Sequence, residues 1–299
     1  MSVLRLATRR SPLALLQAQY VSSRLAAIGV ESELVHVDTS GDQRHDVPLD
    51  VIGGQGVFAI EIQRALLDGM ADVAVHSAKD LPSVTPADLE LVCVPERRDP
   101  ADVLIGRSLA GLGPGATVAT GSPRRRALLL ERRPDLRVVG LRGNMATRLG
   151  IVGRDGVDAV VAAAAALDRL GQSDLISERL DPEWFVPQVG QGALALETRV
   201  DDLATHQLLA GLNDAVAMTA LLAERAFLRE LGSGCSIPAG AHARVDGDTV
   251  TARGVMLAVD GSRSVRAEVT GTDPQRVGED LAHLLRDELG GAALPGWTD

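Results

Sequence analysis

Aromatic side chains are almost missing from this 299-residue chain, which has three Phe, two Trp and one Tyr, 2% of the whole. A surface that stacks bases or sugar rings needs more of them. With 45% of residues hydrophobic, the interiors must be packed from Ala, Leu and Val instead. Cysteine is scarce as well. Cys93 and Cys235 supply neither a disulfide framework nor a Cys-rich metal site, so no metal is expected, and they suit a reducing cytoplasm. No apolar run approaches the roughly 18 residues of a membrane span. The opening MSVLRLATRRSPLALLQ carries arginines and Ser-Pro inside its apolar stretch and reads as a strand entering a helix, not as an export signal. Positive charge is in deficit too. The formal net charge of −10 argues against nucleic acid, which needs a basic face, so neither nucleic acid nor membrane is an expected partner. Lysine is the scarcest of the charged residues: Lys79 stands alone beside 29 arginines. Codon composition accounts for the arginines. A sole lysine still marks a place where a compact ammonium, donating in any direction, is not replaceable by a planar guanidinium.

What is present is an alternation. Up to about residue 190, strand patterns (VLRLATR, ESELVHVDT, ADVAVHS, LELVCVP, then ATVATG, LRVVGLR, DAVVAAA) alternate with helical ones (SPLALLQAQYVSSRLAAIG, FAIEIQRALLDGM, SPRRRALLLERR, NMATRLG, ALDRLG). Such alternation predicts α/β lobes with parallel-rich sheets. Pro- and Gly-bearing links at Pro95–Pro100 and Pro187–Gly192 read as hinges between two lobes. The last third changes character: a helix, AVAMTALLAERAFLRELG, precedes three strand patterns whose Asp-Gly pairs at 246–247 and 260–261 mark hairpin turns, and a final helix follows. The expected architecture is therefore two α/β lobes and a small α+β domain with a three-stranded antiparallel sheet. The expected boundaries are 1–95 with 192–212 for lobe 1, 99–188 for lobe 2 and 214–299 for the C-terminal domain.

Both lobes contain a strand joined to a helix through Ser-Pro, at Ala7–Pro12 and Ala119–Pro123. Serine caps a helix and proline suits its first position, so each lobe aims a helix N-terminus at the end of its sheet, where ligands of open α/β folds bind. Ser122-Pro123 is followed at once by Arg124, Arg125 and Arg126, cations at the positive end of a helix dipole. An anion should compensate Arg124 and Arg125, whereas Arg126 can face solvent. Arg132 and Arg133, at the other end, obey the dipole rule. Arg9 and Arg142 also sit at strand ends, with Arg148 further into the next helix, and all three favour ligand contact. Arg169 reads equally well as a helix-terminal cation. The stretch ADVAVHSAKDLP brings His76, Ser77, Lys79 and Asp80 to the end of a buried strand. Asp80 can accept from a nitrogen heterocycle and stabilise positive charge on it, although a Lys–Asp surface pair is the plainer account. His76 reads equally as a core histidine. Cys235 lies in LGSGCSIP between glycines that admit a bulky group, with no neighbouring Lys or His to activate the thiol, so covalent attachment suits it better than turnover as a nucleophile. Cys93, inside LELVCVP, reads as inert core.

Taken in order, ATRRSPLAL, GGQGVFAIEI, ADVAVHSAKDLPS, ERRDPADVLI, TGSPRRRALLLERRPDL, LRGNMATRL, VGQGALALE and ERAFLRELGSGCSIPAG resemble the successive blocks of porphobilinogen deaminases (hydroxymethylbilane synthases) and span nearly the whole chain. That resemblance implies two lobes like those of bacterial solute-binding proteins and a third domain in which Cys235 holds a dipyrromethane cofactor by a thioether bond. It implies a transferase of tetrapyrrole biosynthesis, condensing four porphobilinogens head to tail with release of ammonia, then hydrolysing off linear hydroxymethylbilane. Asp80 takes the family's catalytic place, next to Lys79 and Arg9. Ser11, Ser77, Thr120, Ser122, Arg124, Arg125, Arg142, Arg148 and Arg169 take places that hold acetate and propionate side chains. The resemblance further implies a cytoplasmic monomer that passes its product to uroporphyrinogen-III synthase. A Gly-rich lid is expected to include Gly53, Gly54, Gln55 and Phe58; here the sequence departs from relatives, which often carry lysines in this loop, one of them at the position of Gln55.

Three other readings compete. A non-catalytic binding protein of the solute-receptor type accounts for two lobes and an anion cleft but not for Cys235. A pyridoxal-phosphate enzyme would use Lys79 as its Schiff base. An Arg-rich nucleic-acid binder runs against the net charge.

Overall fold

The computed structural model describes residues 3–38, 59–232 and 237–297. Gly53, Gly54, Gln55, Phe58 and Cys235 lie outside the described residues. The chain divides into two compact units, 1–98 with 193–218, and 99–192 with 219–299.

Unit 1 is built on a five-stranded sheet in the order β2-β1-β3-β10-β4, with β1 Leu4–Arg9, β2 Ser32–Val37, β3 Val73–Ser77, β4 Leu89–Cys93 and β10 Leu194–Arg199. Its inner strands β1, β3 and β10 are largely buried, and their side chains alternate between the two faces. Leu4 and Leu6 of β1, with Val73 and Val75 of β3, meet Ala18, Val21 and Leu25 of helix α1 (Pro12–Ala27). Ala7 and Ala74 point the other way, onto Ile62, Ala65 and Leu66 of α2 (Ile60–Leu67). Apolar residues recur on α1 at helical spacing, Ser11 caps it by accepting from the Ala14 amide, and Pro12 opens it. Cys93 is fully buried in this core, and burial pushes its thiol up to about 12, which fits the inert role. A further helix, α6 (Leu203–Ala210), follows β10.

Unit 2 repeats the scheme in the order β7-β6-β8-β5-β9, with β5 Asp102–Ile105, β6 Thr117–Ala119, β7 Arg137–Val139, β8 Ala159–Ala163 and β9 Ile176–Leu180. Helix α3 (Pro123–Arg132) packs Ala127, Leu128 and Leu129 on one face of the sheet. Met145 and Leu149 of α4 (Met145–Gly150) and Leu167 of α5 (Ala164–Leu170) pack on the other. In each sheet four strands share one direction, as the alternation predicts. The fourth in order runs against them: β10 is antiparallel to β3 and β4, and β5 to β8 and β9. These reversed strands are the first after the first and second passages of the chain between units, and no strand–helix alternation announces them.

The C-terminal part of unit 2 is the expected antiparallel sheet, β11 Ala239–Asp246, β12 Thr249–Leu257 and β13 Ser264–Gly271. Both Asp-Gly pairs sit at its reversals. Helices α7 (Ala215–Glu230) and α8 (Pro274–His283) supply Ala223, Phe227, Val277 and Leu281 to one core with Ala241, Val250, Ala252 and Met256 of the sheet. Val255 and Leu257 of β12 belong instead to the cluster around α3, so this domain shares a core with the five-stranded sheet of unit 2. Glu131 of α3 takes Ser264 at 2.5 Å and pairs with Arg266, and Glu183 pairs with Arg244 and Arg253, which fixes register at the rim more than it adds stability.

Where α8 crosses α7, Gly278 is what allows the approach. A Cβ there would overlap the Ala223 carbonyl oxygen and stand 2.7 Å from Ala226 Cβ. Alanine gains about 1 kcal/mol of helix propensity over glycine, but overlap with a backbone atom costs more. Gly278→Ala should therefore lower stability by about 2 kcal/mol, read as a shift in the urea midpoint at unchanged slope.

Candidate active site

In unit 1, β1 and β3 run parallel, so both C-terminal ends open on the same edge of the sheet. Arg9 closes β1, half-buried, and Ser11 two residues on spends its hydroxyl on the cap of α1. Beyond Ser77, a single 3-10 turn, Ala78–Asp80, is tied down by the Ala78 amide on the Ala193 carbonyl at 3.1 Å. This turn presents Lys79 and Asp80 half-buried at the strand end, with Leu81 returning to the core. The Ser77 hydroxyl exchanges hydrogen bonds with the amide of the buried Gln17, at 2.8 and 3.2 Å. His76 belongs to the interior: its Nε2 lies 3.2 Å from the carboxylate of the fully buried Glu197, which also accepts from Gln63 at 2.8 Å.

In unit 2 the parallel strands β6 and β7 likewise open on one edge. Thr120 is buried, with its hydroxyl accepting from the Ser122 amide at 3.2 Å, and Ser122 caps α3 on the Arg125 amide. Arg142 follows β7, exposed; Arg148 in α4 donates Nε to the Gly143 carbonyl at 2.9 Å; and Arg169, in the last turn of α5, donates to the Gly192 carbonyl at 2.8 Å. Arg126 is exposed and donates to the Val138 carbonyl at 2.7 Å.

Arg124 and Arg125 are not at a solvated rim. They are 2% and 6% exposed, and the anion that compensates them is Asp102, at the start of β5 and wholly buried. Asp102 Oδ2 accepts from Arg124 Nη2 at 2.7 Å. Its Oδ1 accepts from Arg125 Nε at 2.9 Å and from Gln191 Nε2 at 3.0 Å, and Arg125 Nη2 approaches to 2.6 Å. The remaining donors of Arg125 go to Val161 O at 3.2 Å and Gln191 Oε1 at 3.3 Å. Arg124 gives Nη1 to Val186 O at 2.6 Å and lies 5.8 Å from the Phe185 ring centroid, a cation–π distance. Its Nε, buried, has no hydrogen-bond partner among the described residues. Burial alone would raise the Asp102 carboxyl; the two guanidinium charges overcome it and hold it at about 2. Two cations against one anion leave a net positive charge at a helix N-terminus. Beside it lies a small recess, partly open to solvent and lined by residues that include Ser122, Arg124, Gln188, Phe227, Ile237 and Ala239. Ile237 is two residues past Cys235.

Asp102, Gln191 and Gln17 escape a reading of the sequence. The available signal was small: a charged residue opening the all-apolar strand DVLI, and glutamines set among Gly, Ala and Leu. Side chains of those types inside a core persist only when paired.

The family profile described as porphobilinogen deaminase, dipyromethane cofactor binding domain, matches residues 4–207, and that of the porphobilinogen deaminase C-terminal domain matches residues 218–287. The chain belongs to the porphobilinogen deaminase family. Porphobilinogen deaminase of Trichlorobacter lovleyi is 45% identical over 297 residues, covering 97% of this chain and 95% of that protein. Its counterpart in Roseiflexus sp. is 46% identical over 296 residues, covering 97% of each. Among solved structures, a periplasmic substrate-binding protein of an ABC transporter from Coxiella burnetii overlays at a TM-score of 0.45 with 16% identity, over 73% of this chain and 94% of that one, a likeness that carries no argument about the site. No helix among the described residues is long and apolar enough to cross a membrane.

The family's cofactor-binding match covers Asp102, Arg124 and Arg125, so the buried pairing can be tested as part of that domain. Folding depresses the Asp102 carboxyl below its unfolded value of roughly 3.9, so its contribution to stability is complete above that pH and is lost as pH falls through about 2. Asp102→Asn, which leaves two buried guanidinium groups unopposed, should cost on the order of 3 kcal/mol at neutral pH. The deficit should shrink on acidification across that window in urea titrations; a deficit independent of pH would mean that the charge is not its source.

Proposed function

We propose that this family member condenses four porphobilinogen molecules head to tail on a dipyrromethane primer, releasing ammonia at each step, and then frees linear hydroxymethylbilane for tetrapyrrole biosynthesis. The observation that carries this reading is the pairing of a family match along both domains with a buried, net-positive helix end beside a recess that Ile237 helps to line. Each porphobilinogen brings two carboxylates, so a growing chain accumulates negative charge. A site for it needs fixed guanidinium groups at strand ends and helix N-termini rather than a basic surface, and that is compatible with a chain of net charge −10.

The three-domain division, with 1–95 and 192–212, 99–188, and 214–299, belongs to this proposal, as does attachment of the primer to Cys235 by a thioether. When bound, the primer supplies a pyrrole terminus to which the first substrate is joined. The residues fit such a group: Arg124, whose buried Nε–H has no partner among the described residues, lines the recess together with Ser122, the cap of the helix N-terminus. Asp80, on its anchored turn, accepts from a pyrrole N–H and opposes the positive charge that grows on the substrate as ammonia departs. Lys79 and Arg9 assist proton transfer and hold the substrate's carboxylates at the same sheet edge. Ser11, Ser77, Thr120, Ser122, Arg124, Arg125, Arg142, Arg148 and Arg169 serve acetate and propionate groups, directly or by ordering the strand ends. On this reading the enzyme is a transferase, a cytoplasmic monomer, and hands its product to uroporphyrinogen-III synthase.

Intact mass under denaturing conditions, followed by peptide mapping, tests the primer. An excess equal to two porphobilinogens less two ammonias should appear on the peptide of Cys235, and Cys235→Ala should show the bare chain mass. A wild-type chain that neither carries nor acquires that excess with porphobilinogen defeats the proposal. Asp80→Ala should melt like wild type while turnover falls roughly a thousandfold; ordinary turnover in that variant would remove Asp80 from the chemistry.

A further inference from the structure

We propose that Asp102 is a positioning residue for the enzyme's reaction: it fixes Arg124 and Arg125 in the geometry that lets the chain take up its primer. This rests on the functional reading above and adds a residue outside the strand-end set. The argument begins with donors. Each guanidinium has several N–H groups and, at the end of a flexible stem, many rotamers. Both oxygens of the single carboxylate are committed, Oδ2 to Arg124 at 2.7 Å and Oδ1 to Arg125 at 2.9 Å, so one side chain sets the two guanidinium planes at once. Gln191 closes the arrangement, donating to Asp102 at 3.0 Å and to the Pro100 carbonyl at 2.7 Å while accepting from Arg125 at 3.3 Å.

The outcome differs between the two arginines. Arg125 has donors on Asp102, Val161 O and Gln191, so it is consumed in holding the helix end to β5 and β8. Arg124 is held by Asp102, the Val186 carbonyl and the Phe185 ring, and it keeps a buried Nε without a partner among the described residues while lining the recess. Gly240 of β11 belongs to the same construction: a Cβ there would stand 2.6 Å from the Pro187 carbonyl oxygen and 3.0 Å from Arg124 Cδ. One carboxylate therefore fixes both guanidinium groups in one arrangement, and one of them belongs to a residue that lines the recess. Loss of Asp102 frees both to turn, and the wall of the recess that Arg124 forms loses its fixed geometry.

The test separates positioning from stability. Asp102→Asn and the uncharged perturbation Gln191→Leu are expressed and purified beside wild type and beside Gly278→Ala, a destabilised variant remote from the arginines. Each is checked for cooperative melting, then for the fraction carrying the adduct by intact mass before and after incubation with porphobilinogen, well below the melting temperature. Asp102→Asn and Gln191→Leu should load at least tenfold more slowly than wild type, while Gly278→Ala loads at the wild-type rate. For chains that have loaded, KM for porphobilinogen should rise several-fold with kcat changed less than twofold. Folded variants that load and bind as wild type does overturn the proposal. If Asp102→Asn does not fold, Gln191→Leu decides by the same criterion. A wild-type chain without adduct before or after porphobilinogen overturns the functional reading and this inference with it, whereas normal loading in wild type and variants alike overturns this inference alone.

Discussion

A carboxylate removed from water is costly, and so is each guanidinium brought in beside it. Asp102, Arg124 and Arg125 are all buried, and the cost is offset because every charge meets another at hydrogen-bonding distance and further donors find the Val186 and Val161 carbonyls and the Gln191 side chain. Much of unit 2 is arranged around that constraint. The first residue of β5 must be the acid, the first turn of α3 must carry the bases, and the segment before β10 must lay Val186 and Gln191 against them. Even the chain's few aromatics follow: Trp184 and Phe185 meet edge to face, and their rings cover Arg132 and Arg124. The arginines at the positive end of a helix dipole, unfavourable by themselves, are tolerable because the helix cap and Asp102 are supplied together.

The two five-stranded sheets obey one rule. Four strands run one way, and one reversed strand stands fourth. That symmetry gives the Ser-Pro echo its meaning. Ser11 and Ser122 cap helices that leave the second strand in sheet order of their respective units, β1 and β6, so equivalent positions deliver equivalent anion-seeking helix ends.

Much of this was legible in the residues. Alternating buried strands and capped amphipathic helices located β1, α1, β3, α3 and α7, because those elements bury continuous apolar stripes and end at residues with strong local preferences. The antiparallel C-terminal sheet announced itself through Asp-Gly turns. What stayed hidden was non-local. Strands β5 and β9 are short, β10 pairs with strands about a hundred residues earlier, and β5 opens on an aspartate whose partners are more than twenty residues away, so nothing beside Asp102 in the chain reveals a pair of arginines. The same holds for the site: Arg124 and Arg125 were visible as cations needing an anion, but a sequence cannot say whether that anion is a ligand or the chain itself. Gln17, buried against Ser77, was hidden by its ordinary position in an amphipathic helix.

The placing of β10 between β3 and β4 bears on how the chain acquires its structure. During synthesis the residues of β3 and β4 emerge early, yet the strand that joins them lies beyond the whole of 99–192. The second sheet has all of its strands within 102–180 and can close by short loops. Unit 1, begun first, must wait with two unsatisfied inner strand edges until residue 199 has left the ribosome. The order of completion is thus the reverse of the order of translation, and the N-terminal half-sheet is the part of a nascent molecule that most needs shielding from other chains.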